Sequence, residues 1–386
     1  MNNQAAGLRI VVAPDKFRGS LSAAEASSSL ARGVRRVAPT AEVIETPMAD
    51  GGEGTVDALV NADGGQKSRA RVTGPLGEPV EAEFGRLTDG VTFVIEMAAA
   101  SGLALIPVAR RDPVHTTTRG TGELLLAAIA AGARRVIMGI GGSATNDGGA
   151  GLAQALGYRL LDRAGREVEP GGGALDQLDR IDASGRDPRL DGVEILVACD
   201  VDNPLCGPRG ASSVYGPQKG ATPDVAARLD HALGHFATVI ERDLGAAIAD
   251  LPGAGAAGGL GGGLVAFAGA KLRPGAPLLI DTVRLADRLR GADLCLTGEG
   301  LVDGSSAHGK TAVAVARLTR ELGVPTFVLA GAIGLGAERV LDEGVDAYFS
   351  LCPGPTTLAE AYAHASEWLE NLAAQATRAF LAGRRR

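Results

Sequence analysis

The chain has 386 residues, 45% of them hydrophobic and 22% charged, which is the make-up of a globular protein able to bury more than one core. Its net charge of −7 argues against a nucleic-acid or anionic-membrane partner. No apolar run approaches the roughly 20 residues that span a bilayer, and MNNQAAGLRIVVAPD lacks the charged and apolar regions of a signal peptide, so a cytoplasmic protein is expected.

The first element is a short apolar strand, LRIVVAPD, ending at Asp15. A helix follows in GSLSAAEASSSLARGVRRV, with Ser20 or Ser22 as its cap and Leu21, Leu30 and Val34 on one apolar side. A second strand, AEVIETPMAD, leads through the turn GGEGT into the helical TVDALVNA. This alternation is the rhythm of a parallel α/β sheet. After Gly64-Gly65 the pattern changes: RARVTGPLGEPVEAEFGRL and GVTFVIEMA read as an antiparallel hairpin set. A helix (GTGELLLAAIAAGA), a strand (RRVIMGIG), the strand EILVACD and a helix over 223–248 come next, followed by the glycine-rich GAGAAGGLGGGLVAF. From about residue 278 the parallel rhythm resumes with ADLCLTGEG, TAVAVARLTRELG, TFVLAGAIG and VDAYFSL. The two ends therefore build one parallel α/β domain, residues 1–71 plus 281–386, with a second α/β domain, 72–280, inserted into it.

The four cysteines (Cys199, Cys206, Cys295, Cys352) form no CxxC pair and no zinc spacing. Cys199 and Cys295 end apolar strands and are expected to be free thiols of the core. The three arginines at the C-terminus read as a solvated end.

Glycine is abundant, at 56 residues, and concentrates in loops beside predicted strand ends and helix starts. The loops are APDKFRGS, ADGGEGT, GGSATNDGGAG, CDVDNPLCG, GPQKGAT and TGEGLVDGSSAHGK. In open α/β sheets ligands sit outside the carboxyl ends of the strands. Glycine lets backbone N–H groups approach phosphate oxygens, and a following helix start adds favourable partial positive charge. Neighbouring carboxylates suit Mg2+, which needs only one or two from the protein. The run Gly304 to Thr311 also spells GxxxxGK[ST], the letters of a P-loop. A P-loop follows its strand directly, whereas here TGEGLVD intervenes, so Lys310 is read as a cation opening a helix instead.

The ordered blocks APDKFRGSLSA, PMADGGEGT, GIGGSATNDGGAG, CDVDNPLCGPRGASSVYGPQKGAT and TGEGLVDGSSAHGK resemble those of the type I glycerate kinase family, over about residues 8–370. The resemblance implies a flavodoxin-like α/β domain carrying an inserted domain likened to restriction endonucleases, with the active site in the cleft between them. It implies transfer of phosphate from ATP, with Mg2+, to D-glycerate, giving 2-phosphoglycerate. A 3-phosphoglycerate product, another small hydroxy acid as acceptor, or a regulator that has lost catalysis are the alternatives. A monomer or homodimer is expected.

On this reading Asp200, Lys219 and Lys310 are catalytic, and Asp15, Lys16, Arg18, Asp50 and Glu53 bind the substrate. Gly141, Gly142, Ser143, Asn146, Asp147, Gly298 and Gly300 receive the nucleotide phosphates, and Asp200, Glu299 and Asp303 hold the metal. In two places the chain departs from the family pattern: Ser305-Ser306 stands where Gln-Thr is usual, and Arg18 where Lys is frequent. Serine is shorter than glutamine and reaches less far. Arg18 keeps the charge and can grip a carboxylate with two parallel hydrogen bonds.

Overall fold

The computed structural model describes residues 7–384, so Arg385 and Arg386 of the terminal arginine run, and the first six residues, lie outside the described part. The chain is mixed α/β with parallel sheets, and it divides into two compact units. The first comprises Met1–Asp50, Asp57–Gly64 and Ala276–Arg386, and the second Gly51–Val56 and Gly65–Gly275. The chain thus changes unit at 64/65 and 275/276, and the short excursion 51–56 belongs to the second unit.

The first unit holds a five-stranded, all-parallel sheet of Arg9–Val12, Glu42–Glu45, Leu294–Thr297, Thr326–Ala330 and Ala347–Ser350. Numbered by position along the chain, these strands lie in the order 2-1-3-4-5. The central strands Arg9–Val12 and Leu294–Thr297 are short apolar runs buried on both faces, as parallel strands covered by helices must be. Helix Ala23–Val37 packs its Leu30, Ala31 and Val34 with Leu369 and Ala373 of helix Ala365–Gly383 in one core cluster. Of the two candidate caps, Ser22 is the one used: its hydroxyl accepts from the Glu25 N–H while the Glu25 carboxylate accepts from the Ser22 N–H.

The second unit is built on a six-stranded mixed sheet. Four parallel strands, Lys271–Arg273, Glu194–Ala198, Arg135–Gly139 and Thr92–Glu96, continue into the antiparallel pair Pro79–Arg86 and Gln66–Thr73. The antiparallel set expected after Gly65 is thus present, but its sheet is extended by parallel strands. The predicted helix at 223–248 runs Pro223–Leu244, capped by the Thr222 hydroxyl and closed by Gly245 in a left-handed conformation. The glycine-rich stretch contains a further helix, Leu260–Ala268. All four cysteines are free. Cys295 is fully buried, but Cys199 is only half-buried because its strand already ends at Ala198. Among the described residues no helix is long and apolar enough to cross a membrane.

Candidate active site

In the first unit, the pairing of the central strands continues past their ends. The Ala13 N–H donates to the Leu296 carbonyl and the Asp15 N–H to the Gly298 carbonyl, while on the other flank the Met48 N–H donates to the Pro14 carbonyl. Asp15, Asp50 and Glu299 are thereby carried on the carboxyl ends of three adjacent parallel strands. Strands 1 and 3 of the order 2-1-3-4-5 flank the point where the connections reverse direction, the place where open α/β sheets bind ligands.

Asp15 is buried, and its carboxylate accepts from the Lys16 N–H at 2.7 Å and from the Thr311 hydroxyl at 2.8 Å. Burial, reinforced by the nearby Asp50, pushes its pKa up to about 6. The Lys16 ammonium donates to Asp50 at 2.9 Å. Gly298 has no room for a side chain, since a Cβ there would lie 2.1 Å from the Leu329 carbonyl oxygen and 3.2 Å from the Phe17 ring. Gly300 lies against the Arg18 backbone, and the Arg18 side chain is exposed.

Glu299 is the most unusual group of this unit. Its Oε1 is buried without a hydrogen-bond partner, and burial raises its pKa to about 7 against the pull of Lys310. Lys310 sits 3.7 Å from Glu299 and 3.6 Å from Asp303, and donates to the Ser306 hydroxyl at 3.2 Å. The Ser305 hydroxyl and N–H both donate to Asp303, holding that carboxyl below its ordinary pKa. The Ser305-Ser306 pair therefore orders the acidic loop, positioning Asp303 and Lys310. Between Thr297 and helix Thr311–Glu321 run a short strand, Leu301–Val302, and a tight turn, Ser306–His308, so the GxxxxGK[ST] letters do not form a P-loop.

In the second unit, the 141–149 loop leaves the end of strand Arg135–Gly139, with Gly142, Gly148 and Gly149 all at positive φ. The 51–56 segment packs on the same strand ends: a Cβ on Gly139 would lie 2.4 Å from the Gly51 carbonyl oxygen, and the Gly141 N–H donates to that oxygen. Glu53 is exposed on this segment.

Beneath the loop lies Lys219, only 1% exposed, whose ammonium donates to the Ser143 hydroxyl at 2.7 Å and the Thr145 carbonyl at 2.6 Å. Burial lowers its pKa to about 7, opposed by the charge of Asp147. The Asn146 amide donates to the Ser212 hydroxyl at 2.8 Å, and its own oxygen is buried without a partner. Asp147 is fully buried, and its two oxygens accept from the N–H groups of Thr118, Gly149 and Gly151 and from the Thr118 hydroxyl. Burial pushes its pKa upward while those four donors oppose the shift. Asp200, exposed just beyond the neighbouring strand Glu194–Ala198, accepts from the Gly275 N–H at 2.6 Å.

The expected site residues thus gather in two sets. Asp15, Lys16, Asp50, Gly298, Glu299, Gly300, Asp303 and Lys310 share the first unit with Arg18. Lys219 joins Ser143, Asn146 and Asp147 in the second, which also carries Gly141, Gly142, Glu53 and Asp200. Sequence reasoning passed over Thr311, Thr118 and Ser212. The three threonines before helix Arg119–Ala130 were the available signal for Thr118, since hydroxyl residues collect at helix starts. Among the described residues no three Asp, Glu, His or Cys side chains form a ready-made metal cage.

Comparison with known proteins gives this geometry its context. The sequence profile of the glycerate kinase family matches residues 10–381. Glycerate kinase of Bacillus subtilis (strain 168) is 53% identical over 366 residues, covering 95% of this chain and 96% of its own. Glycerate 2-kinase of Escherichia coli (strain K12) is 48% identical over 355 residues, covering 92% and 93%. A crystal structure of a provisionally named glycerate kinase 2 from Salmonella typhimurium LT2 superposes with a TM-score of 0.90 at 46% identity, over 98% of this chain and all of its own. The chain is an enzyme of the glycerate kinase family.

Proposed function

We propose that the protein transfers the γ-phosphoryl group of ATP to the C2 hydroxyl of D-glycerate in the cytoplasm, giving 2-phosphoglycerate, as a monomer or homodimer. The Escherichia coli relative, named a glycerate 2-kinase, supports the choice of hydroxyl. The 2-1-3-4-5 strand order supports reading the first unit as flavodoxin-like, with the second as the inserted domain. The observation that carries the proposal is that the chain holds two kinds of chemistry, one in each unit: a glycine loop underlain by a buried lysine, and an acid–base cluster at a switch point of a parallel sheet.

Phosphoryl transfer needs little covalent help; position and charge neutralisation supply most of the catalysis. The 141–149 loop, carrying Gly141, Gly142, Ser143, Asn146 and Asp147, holds the nucleotide phosphates, with Gly298 and Gly300 supplying close backbone approach. Arg18 and Lys16 hold the glycerate carboxylate, with Asp15 and Asp50 of the same unit beside them; Glu53, on the second unit, is the remaining substrate-binding residue of this reading. Asp200 orients or deprotonates the attacking hydroxyl. Lys310 neutralises the transferred group directly, and Lys219 raises the positive potential from beneath the loop.

The acidic loop also fits a hard divalent cation. Glu299 presents a buried oxygen with no partner, and Asp303 lies across Lys310 from it, an all-oxygen donor set of the kind Mg2+ takes together with substrate phosphates and water. Glu299 and Asp303 are the residues of the first unit that would hold Mg2+, and Asp200 is the candidate ligand of the second; the ion, when bound, would offset negative charge on the phosphates.

The test is ADP release by the purified protein with ATP, Mg2+ and D-glycerate. Turnover should require all three and should be lost in Asp200→Asn. ADP release indifferent to glycerate would sink the proposal, and full turnover by the variant would remove Asp200 from its role.

A further inference from the structure

We infer that Thr118 and Asp147 form a latch that fixes the conformation of the 141–149 loop, so that Asp147 serves nucleotide binding by positioning the loop and Thr118 is a further positioning residue for the reaction. Both residues are fully buried. The Asp147 Oδ2 accepts from the Thr118 N–H at 2.8 Å, the Thr118 hydroxyl at 2.8 Å and the Gly151 N–H at 3.2 Å, while Oδ1 accepts from the Gly149 N–H at 3.2 Å. With four donors already engaged, this carboxylate has little capacity left for a ligand.

The Thr118 hydroxyl completes the arrangement by accepting from the Leu152 N–H at 3.0 Å. One side chain, immediately before helix Arg119–Ala130, thus reaches across to the start of helix Ala150–Ala155, which follows the loop. The approach of the two helix starts depends on Gly151, where a Cβ would lie 2.1 Å from the Thr117 hydroxyl oxygen and 2.6 Å from the Arg119 nitrogen. The latch sits on the C-terminal half of the loop, and Lys219 holds Ser143 and Thr145 nearer its start. With both ends pinned, the loop's backbone donors are set before any ligand arrives, which lowers the cost of ordering them on binding.

The functional half of this inference rests on the proposal that the loop receives nucleotide phosphates; the latch itself does not. Thr118→Val keeps the shape and removes the hydroxyl, leaving the buried Leu152 N–H without its acceptor and Asp147 one donor short. Amide exchange at Gly149, Gly151 and Leu152 should then accelerate about tenfold or more, and KM for ATP should rise by about the same factor. KM for glycerate should stay within about twofold, and Thr118→Ser should restore ATP binding. Unchanged exchange, or a serine variant as impaired as the valine one, overturns the latch. Faster exchange accompanied by a rise in KM for glycerate instead of ATP supports the latch and overturns the phosphate assignment. If Thr118→Val does not fold, the wild-type protein decides: these amides should be as protected without nucleotide as with ADP, and protection that appears only with ADP overturns the latch.

Discussion

Replacing Lys219 with methionine makes the buried lysine measurable. The ammonium is 1% exposed, and its pKa falls from the ordinary 10.5 to about 7 in the native state. Over the window between those values the unfolded chain holds a proton that the folded protein has released. Stability therefore rises with pH there, and this contribution is lost as pH falls towards 7. One pKa unit corresponds to about 1.36 kcal/mol, and integrating from pH 7 to pH 9, with half the native lysines still protonated at the lower limit, gives a gain of about 2 kcal/mol for the wild type. Lys219→Met removes that gain. It also leaves the Thr145 carbonyl without its donor, a cost of about 1–3 kcal/mol that does not vary with pH. The assay is urea unfolding of both proteins at pH 7 and pH 9, followed by far-UV circular dichroism. The wild type should gain about 2 kcal/mol more than the variant between the two pH values. Parallel responses would refute the reasoning and place the ammonium in a solvated or fully ion-paired setting.

Asp15 works in the opposite sense. Its folded pKa is raised from 3.8 to about 6, so the native state holds a proton that the unfolded chain has released, and the stability this supplies is lost as pH climbs through about 6. Thermal melts from pH 4 to 7 should show a smaller decline for Asp15→Asn than for the wild type. The same variant should lose about 100-fold in kcat/KM for glycerate, because the carboxylate that orders Lys16 and Thr311 is gone. In Gly298→Ala, a Cβ 2.1 Å from the Leu329 carbonyl oxygen forces the backbone apart at the end of a central strand, at a cost of about 1–3 kcal/mol. A lowered Tm together with lost turnover should follow, and an alanine variant with wild-type Tm would contradict the close packing.

Much of the architecture was readable because parallel sheets leave a strong trace in sequence. LRIVV and ADLCL are short apolar runs followed within three residues by an acidic residue, Asp15 and Glu299 respectively, and both became central strands with their loops at the carboxyl ends. Ser22 could be separated from Ser20 once Glu25, three residues on, was seen to close a capping box. Helix Leu260–Ala268 was not readable, since Gly261, Gly262 and Gly263 are poor helix formers. Packing overrides that propensity: a Cβ at Gly261 would lie 2.3 Å from the Gly253 carbonyl oxygen, and one at Gly263 2.3 Å from that of Gly148. Short edge strands such as Lys271–Arg273 carry too few residues for a period to show.

At the site, residue types were legible and their relationships were not. Asp147 in a glycine loop reads as a phosphate contact, and only its burial beside Thr118, 29 positions away, shows that its oxygens are occupied. Lys219 reads as a cation for phosphate, yet the fold places its ammonium under Ser143 and Thr145. The unpartnered oxygen of Glu299 is a consequence of three-dimensional burial that no local pattern encodes.

The most direct test of the account is 31P NMR of the product formed from ATP, Mg2+ and D-glycerate. Phosphate on C2 is coupled to a single carbon-bound proton and gives a doublet in the proton-coupled spectrum; that is the predicted result. A triplet, from phosphate on the C3 methylene, would contradict the proposed regiochemistry, and the absence of any phosphorylated glycerate would contradict the proposed function itself.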